Sequence, residues 1–266
     1  MGNFTRVTPD LFNELQVDAG ILLTDFDPSN PASLNDANII CATTGGINPQ
    51  CIPTYEDMFE DVDNAPNNTM EGKKLTGWDC KLGTTAIGVS PRILKLSLGA
   101  ADAAGKRVVP RRDLKQSDFS TLWWVGDLAN GGFAAIKLLH ALSTGGFSLQ
   151  TSKNGKGQIS LEITGHASIN AINKVPMEFY VAPPTEYTIT NTLTKATTSN
   201  TDTKAVLGHS YLAALTPDTG YAFAANAVTV TMGGTDITST AYDDGIIVID
   251  EVTGNIVITA TATAVS

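Results

Sequence analysis

Lys153-Asn154-Gly155-Lys156-Gly157-Gln158-Ile159-Ser160-Leu161-Glu162-Ile163-Thr164 is the stretch on which the fold class turns. Ile159, Leu161 and Ile163 alternate with Ser160, Glu162 and Thr164, the period of two that buries one face of a strand and wets the other. Asn-Gly before such a run, with 147–152 ahead of it, is a hairpin signal, because both residues accept the positive φ of a tight turn. Upstream, Leu122-Trp123-Trp124-Val125-Gly126-Asp127-Leu128 passes through Ala129-Asn130-Gly131-Gly132 into 133–142. There Ala134, Ile136, Leu138 and Leu142 fall at alternate places. Ala, Leu and Lys would also suit a helix, but the Gly-Gly pairs on both sides favour a strand. The expectation is an antiparallel meander, with Trp123 and Trp124 packing one to the core and one to its rim.

A helix is expected beside it. Ser90 can cap the free amides, Pro91 is tolerated at the first helical position, and Gly105 supplies a stop. Ile93, Leu96, Ala100 and Ala104 then share one face, suited to lie on a sheet. The segment 47–78 is open between two readings. Tyr55, Met58, Phe59 and Val62 have helical spacing, yet Pro53 and Pro66 bound them closely, so an extended arm fits equally. Either way Glu56, Asp57, Glu60, Asp61 and Asp63 make it acidic around an apolar stripe, and an exposed apolar stripe wants a partner.

Composition changes at Ala182-Pro183-Pro184. All three Trp and all three Cys precede it; beyond it Thr, Ala, Val and Ile dominate. Paired prolines stiffen a connection and continue neither ladder nor helix. The expected domains are therefore 1–183 and 184–266. In the second, Val228-Thr229-Val230-Thr231-Met232 and 256–264 alternate, while Gly233-Gly234, Asp243-Asp244-Gly245 and Gly254-Asn255 mark turns, as in a small β-sandwich.

The 266 residues carry 17 Lys plus Arg against 27 Asp plus Glu, a formal charge of -10. From Pro184 onward stand two cations, Lys195 and Lys204, and eight anions, so that part holds -6 of the total. A chain this acidic is poorly suited to gripping a phosphate backbone, which needs clustered cations. Lys106-Arg107, Arg111-Arg112 and Lys115 form the one basic cluster, expected to pair with carboxylates of a neighbouring subunit. No apolar run approaches the ~20 residues that span a bilayer, and 1–10 lacks the apolar stretch of a secretory signal. The expectation is a soluble protein made inside a cell, with Cys41, Cys51 and Cys80 as free thiols.

No catalytic signature stands out: there is no G-x-S-x-G elbow, no H-E-x-x-H and no phosphate-cradling G-x-x-x-x-G-K-[ST] loop. His140, His166 and His209 are too far apart for a local metal site, and Asn64-Ala65-Pro66 breaks the order a calcium loop requires. An enzyme, a metal and a cofactor are therefore not expected.

Several segments in order resemble the major tail (tail tube) proteins of long-tailed phages of Gram-positive bacteria. They are Pro53-Thr54-Tyr55-Glu56-Asp57, the run from Glu60 to Thr69, Trp123-Trp124-Val125-Gly126-Asp127, Asn130-Gly131-Gly132-Phe133, the run from Ala141 to Thr151, Lys156-Gly157-Gln158, Thr164-Gly165-His166 and Val175-Pro176-Met177-Glu178. After the boundary, Leu215-Thr216-Pro217-Asp218-Thr219-Gly220-Tyr221, 228–240 and Val252-Thr253-Gly254-Asn255-Ile256-Val257-Ile258 resemble bacterial immunoglobulin-like modules.

The resemblance implies a mainly β chain: a tail-tube β-sandwich or half-barrel with one flanking α-helix, then an immunoglobulin-like sandwich displayed outside. It implies hexameric rings stacked into a tube through which DNA passes without specific binding. The partners implied are further copies of the chain and the tape measure, tail terminator and baseplate proteins. The location would be the phage tail of a virion. The expected subunit or ring-stacking contacts are Tyr55, Met58, Phe59, Val62, Arg111 and Arg112. The rival expectation is a cell-surface or secreted protein whose second domain holds carbohydrate or protein.

Overall fold

Period-two patterning lays down strands along almost the whole length, and the protein is mainly β. The computed structural model describes residues 14–265, so the reading of 1–10 lies outside the described residues. The chain divides into two compact units, one of Gln16–Asp127 and Phe133–Val181, the other of Leu128–Gly132 and the chain from Ala182 onward.

The first unit holds β1 (Gln16–Leu23), β2 (Ala42–Asp57), β3 (Lys73–Ile87), α1 (Pro91–Leu98), β4 (Ala101–Ala104), β5 (Arg107–Pro110), β6 (Ser120–Leu128), β7 (Phe133–Ser143), β8 (Leu149–Gln150), β9 (Gln158–Thr164) and β10 (Met177–Ala182). One sheet runs β1-β6-β7-β9-β3-β2, with β10 on β7 and β8 on β9. Its two ends return toward each other. Ile40 N donates to Leu22 O at 2.9 Å, and Leu23 bridges Ile39 just before β2 begins. A sheet curled this far encloses its own core. Leu22, Leu82, Leu122, Trp124, Leu138, Ile159, Leu161 and Ile163 fill it, with Ile93 of α1 closing over them. Each of these side chains contributes roughly 1.5–3 kcal/mol by leaving water.

The expected meander forms as β6, β7 and β9, each antiparallel to the next. Its alternation shifts once. Between Leu122↔Leu138 and Ser120↔Ala141 strand β7 carries one residue more than β6, a bulge at which His140 takes φ 47°. The hairpin expected at Asn154-Gly155 is longer than a two-residue turn: β8 ends at Gln150 and Gln158 pairs with it, so 151–157 form the loop.

Helix α1 corrects an expectation. Ser90 Oγ accepts from Ile93 N at 3.2 Å and Pro91 opens the first turn, as read from the sequence. The helix stops at Leu98 instead of running to Ala104, because Gly99 turns to φ 70°. Residues 101–104 become β4, paired with β5 around Gly105. Arg92 then ties the helix to the β1–β2 connection. Its guanidinium donates to Ala37 O (3.0 Å), Ile39 O (3.1 Å) and Thr24 Oγ1 (3.1 Å).

The two tryptophans are a second correction, because neither forms a rim. Trp124 lies in the core, its Nε1 donating to Ala19 O at 3.1 Å. Trp123 is buried on the opposite face, against Phe26 (5.7 Å between centroids) and Tyr180 (5.3 Å), with Lys137 Nζ 5.0 Å from its ring. Phe26 also meets Phe133 edge-on at 5.3 Å. Strand β6 is thus covered on both sides.

The second unit holds β11 (Glu186–Thr194), β12 (Ala196–Thr198), β13 (Lys204–Val206), β14 (Tyr211–Pro217), β15 (Tyr221–Met232), β16 (Thr235–Asp236), the one-turn α2 (Thr238–Ala241), β17 (Tyr242–Asp243), β18 (Ile246–Ile249) and β19 (Ile256–Ala264). Two sheets, β13-β11-β19-β15-β16 and β12-β14-β18-β17, share one core. Val230, Ile256, Ile258 and Ala260 come from the first sheet, and Tyr211, Ala213, Leu215, Ile247 and Ile249 from the second. The alternating Thr residues of β15 and β19 take the outer face, as the sequence pattern requires.

Candidate functional site

Strands β2 and β3 pair from Ala42↔Ile87 out to Asp57↔Lys73, with register shifts after Thr44 and Thr54. Strand β9 accompanies β3 only over Lys81–Ile87. Beyond that point Cys51–Asp57 and Lys73–Cys80 continue as two strands alone, an arm projecting past its own sheet. The extended reading of 47–78 therefore holds and the helical one does not. Pro49 and Pro53 fit this placement, since an edge strand has outward positions where a missing N–H costs no ladder bond.

The tip, 58–72, is tied down by one carboxylate. Asp57 accepts from Phe59 N at 3.1 Å and Asn68 N at 2.7 Å, with Lys73 Nζ 3.7 Å away. The two amides, then the Lys73 charge, hold its carboxyl below the ordinary carboxylate value. Asn64 and Asn68 take φ 61°, a left-handed conformation that asparagine tolerates better than most residues. Gly72 is buried in the tip, where a Cβ would lie 2.9 Å from Phe59 Cδ2 and 2.9 Å from Asp57 Oδ1.

Of the residues expected to form contacts, Tyr55, Met58 and Val62 stand out on the arm, 57%, 56% and 52% exposed. Phe59 does not join them; it is half-buried against Gly72 within the tip. Arg111 is a further correction. Its guanidinium donates to Asp118 Oδ1 (2.5 Å) and Asp113 O (2.8 Å), with Nε 3.0 Å from Asp102 Oδ1. Its charge is satisfied inside its own chain and does not await a neighbour. Arg112 is exposed, with no ion pair among the described residues.

The sequence reading missed Ile52, Met70, Leu75 and Trp78, all exposed large apolar side chains on the same arm. The signal available for Leu75 and Trp78 was their place between Lys73-Lys74 and Cys80, on a strand that runs past its sheet neighbour; both also line a concavity with Ile172 and Val175. The arm thus offers unpaired backbone edges, apolar side chains and a rim of carboxylates. These groups suit docking to another polypeptide surface.

Among the described residues no three His, Cys, Asp or Glu side chains gather as metal ligands would. His166 and His140 do come together, but His166 Nδ1 meets His140 O at 3.0 Å, a ring against backbone.

The chain matches no family model and no curated protein. Among solved structures it is similar to a chain described as "Virion of native gene transfer agent (GTA) particle", at 8% identity and TM-score 0.32, over 61% of this chain and 95% of that one.

Proposed function

We propose that this chain is a virion structural protein, the tail tube subunit of a long-tailed phage. Its copies join edge to edge into rings, and the rings stack into the conduit for DNA. One observation carries the reading: the β2–β3 arm stands beyond its sheet with open edges and exposed Ile52, Tyr55, Met58, Val62, Leu75 and Trp78. An isolated two-stranded ribbon is marginal in water, and its edges are templates for another chain. Repeated head-to-tail contacts of this kind close into rings or extend without limit. The ordered sequence segments that resemble tail tube proteins, two of them on this arm, support the same reading. In it the chain performs no catalysis, and its partners are other copies with the tape measure, terminator and baseplate proteins.

The test is Tyr55→Ser, Met58→Ser and Val62→Ser together, substitutions at exposed positions that leave the core intact. Circular dichroism should be unchanged. Mixed with a baseplate and tape-measure complex, the parent chain should give tubes by negative-stain microscopy and the variant none. Normal tubes from the variant would remove the arm from the contact. A parent that stays dispersed beside a competent initiator would reject tube assembly altogether.

One observation favours a binding role for the second unit. Leu212 and Val248 face each other in register across β14 and β18, with Ile246 beside them, all exposed and apolar. On a tube this sheet would be the displayed surface; in a dispersed protein it would be the binding face of a cell-surface or secreted receptor.

A further inference from the structure

The structure assigns Cys51 and Cys80 as a thiol pair that closes to a disulfide across the root of the projecting arm. The two residues are direct partners in the β2–β3 register, and their sulfurs lie 3.2 Å apart. Opposed residues on antiparallel strands have Cα atoms ~4.5–5.5 Å apart, inside the ~4.4–6.8 Å that a disulfide spans. Bonding at about 2.0 Å therefore asks the sulfurs to close by roughly 1.2 Å, a side-chain rotation with the ladder kept.

The position gives the bond a purpose. Cys80 is the last residue of β3 before Lys81, where pairing with β9 begins, and its carbonyl accepts from Gly165 N at 2.9 Å. A cross-link here pins the two free strands at the point where they leave the sheet. It encloses the arm and its tip in one covalent loop, which lowers the entropy of the open ribbon.

The chemistry needs an oxidant, and a small-molecule disulfide such as oxidised glutathione supplies it. Cys51 is partly exposed and Cys80 fully buried, so Cys51 meets the reagent first. Its thiolate attacks one reagent sulfur; the reagent S–S bond breaks and one glutathione thiol leaves with a proton. Cys80 then attacks Cys51 Sγ, its proton passing to the second departing glutathione. The protein loses two protons and two electrons, and the reagent gains them. Burial, and then the neighbouring Cys51, push the Cys80 thiol up to about 12, consistent with its acting second. Cys41 lies outside both strands, before Ala42, and takes no part. The inference concerns the isolated chain and stands apart from tube assembly.

The test incubates the native full-length chain with oxidised glutathione, then titrates thiols in denaturant and measures intact mass. The expected result is loss of two of the three thiols and of two hydrogen masses. A tryptic digest should link the Cys80 peptide Leu75-Thr76-Gly77-Trp78-Asp79-Cys80-Lys81 to the peptide carrying Cys51. Cys41→Ser should cross-link as the parent does, which shows that the partner in that shared peptide is Cys51. Cys51→Ser and Cys80→Ser should each abolish the link. A glutathione adduct that persists on Cys51, a link to Cys41, or three thiols that all survive would overturn the assignment. Each outcome is read on dispersed protein, so failure to form tubes leaves it unaffected.

Discussion

Arg111 and Asp118 satisfy each other. Asp118 also accepts from Lys115 N at 2.8 Å, so its carboxylate both neutralises a guanidinium and closes a turn. The Arg111 hydrogen bond, then the Lys115 amide, hold its carboxyl below the ordinary value of 3.8. A carboxyl lowered by folding contributes stability that is present above 3.8 and lost as pH falls through its depressed value. Asp118→Asn should therefore lower the urea midpoint at neutral pH, with the gap to the parent narrowing as the solution is acidified below pH 3.8; a gap constant with pH would reject the assignment. The basic cluster was legible in the sequence as a cluster. Its partners were not, because Asp102 and Asp118 reach Arg111 only through the β4–β5 hairpin and the turn after it. The Trp123-Trp124 pair misled for a related reason. Adjacent strand residues point to opposite faces, and the sequence does not show that Phe26 and Tyr180 cover the second one.

At the scale of elements, β1 is fitted to β6 through one position. Gly20 has φ 68°, and a Cβ there would lie 2.5 Å from Val125 O and 2.6 Å from Trp124 Nε1. Neither the carbonyl nor the core indole can retreat cheaply. Gly20→Ala should cost about 2–4 kcal/mol, combining an unfavourable left-handed conformation with overpacking, and lower the melting temperature of the first unit. Strands with clean alternation, β9, β19 and the 228–232 part of β15, were readable because one buried face imposes the period directly. The end of α1 was not. Alanines at 100, 101, 103 and 104 carry high helix propensity, and only the turn at Gly99 hands them to a hairpin. The arm was legible as an acidic, apolar segment needing a partner. Its apparent helical spacing arose because Tyr55 lies within β2 while Met58, Phe59 and Val62 belong to the tip.

At the scale of the molecule, each unit encloses its own core. The second holds two sheets around Tyr211, Val230, Ile247, Ile256 and Ile258, enough buried apolar surface to fold without the first. A fragment beginning at Ala182 should unfold cooperatively in urea and retain strand-type circular dichroism; a featureless unfolding curve would show that it depends on the rest of the chain. Within that unit the first and last long strands lie side by side and parallel, Ile189 opposite Ile256 and Thr194 opposite Thr261. Parallel neighbours run the same way, so the polypeptide enters at one pole of the sandwich and exits near Ala264 at the other. At ~3.3 Å per residue the poles are roughly 30 Å apart. A peptide or reporter inserted behind Ala264 would emerge at the pole of this sandwich opposite the one at which Glu186 enters.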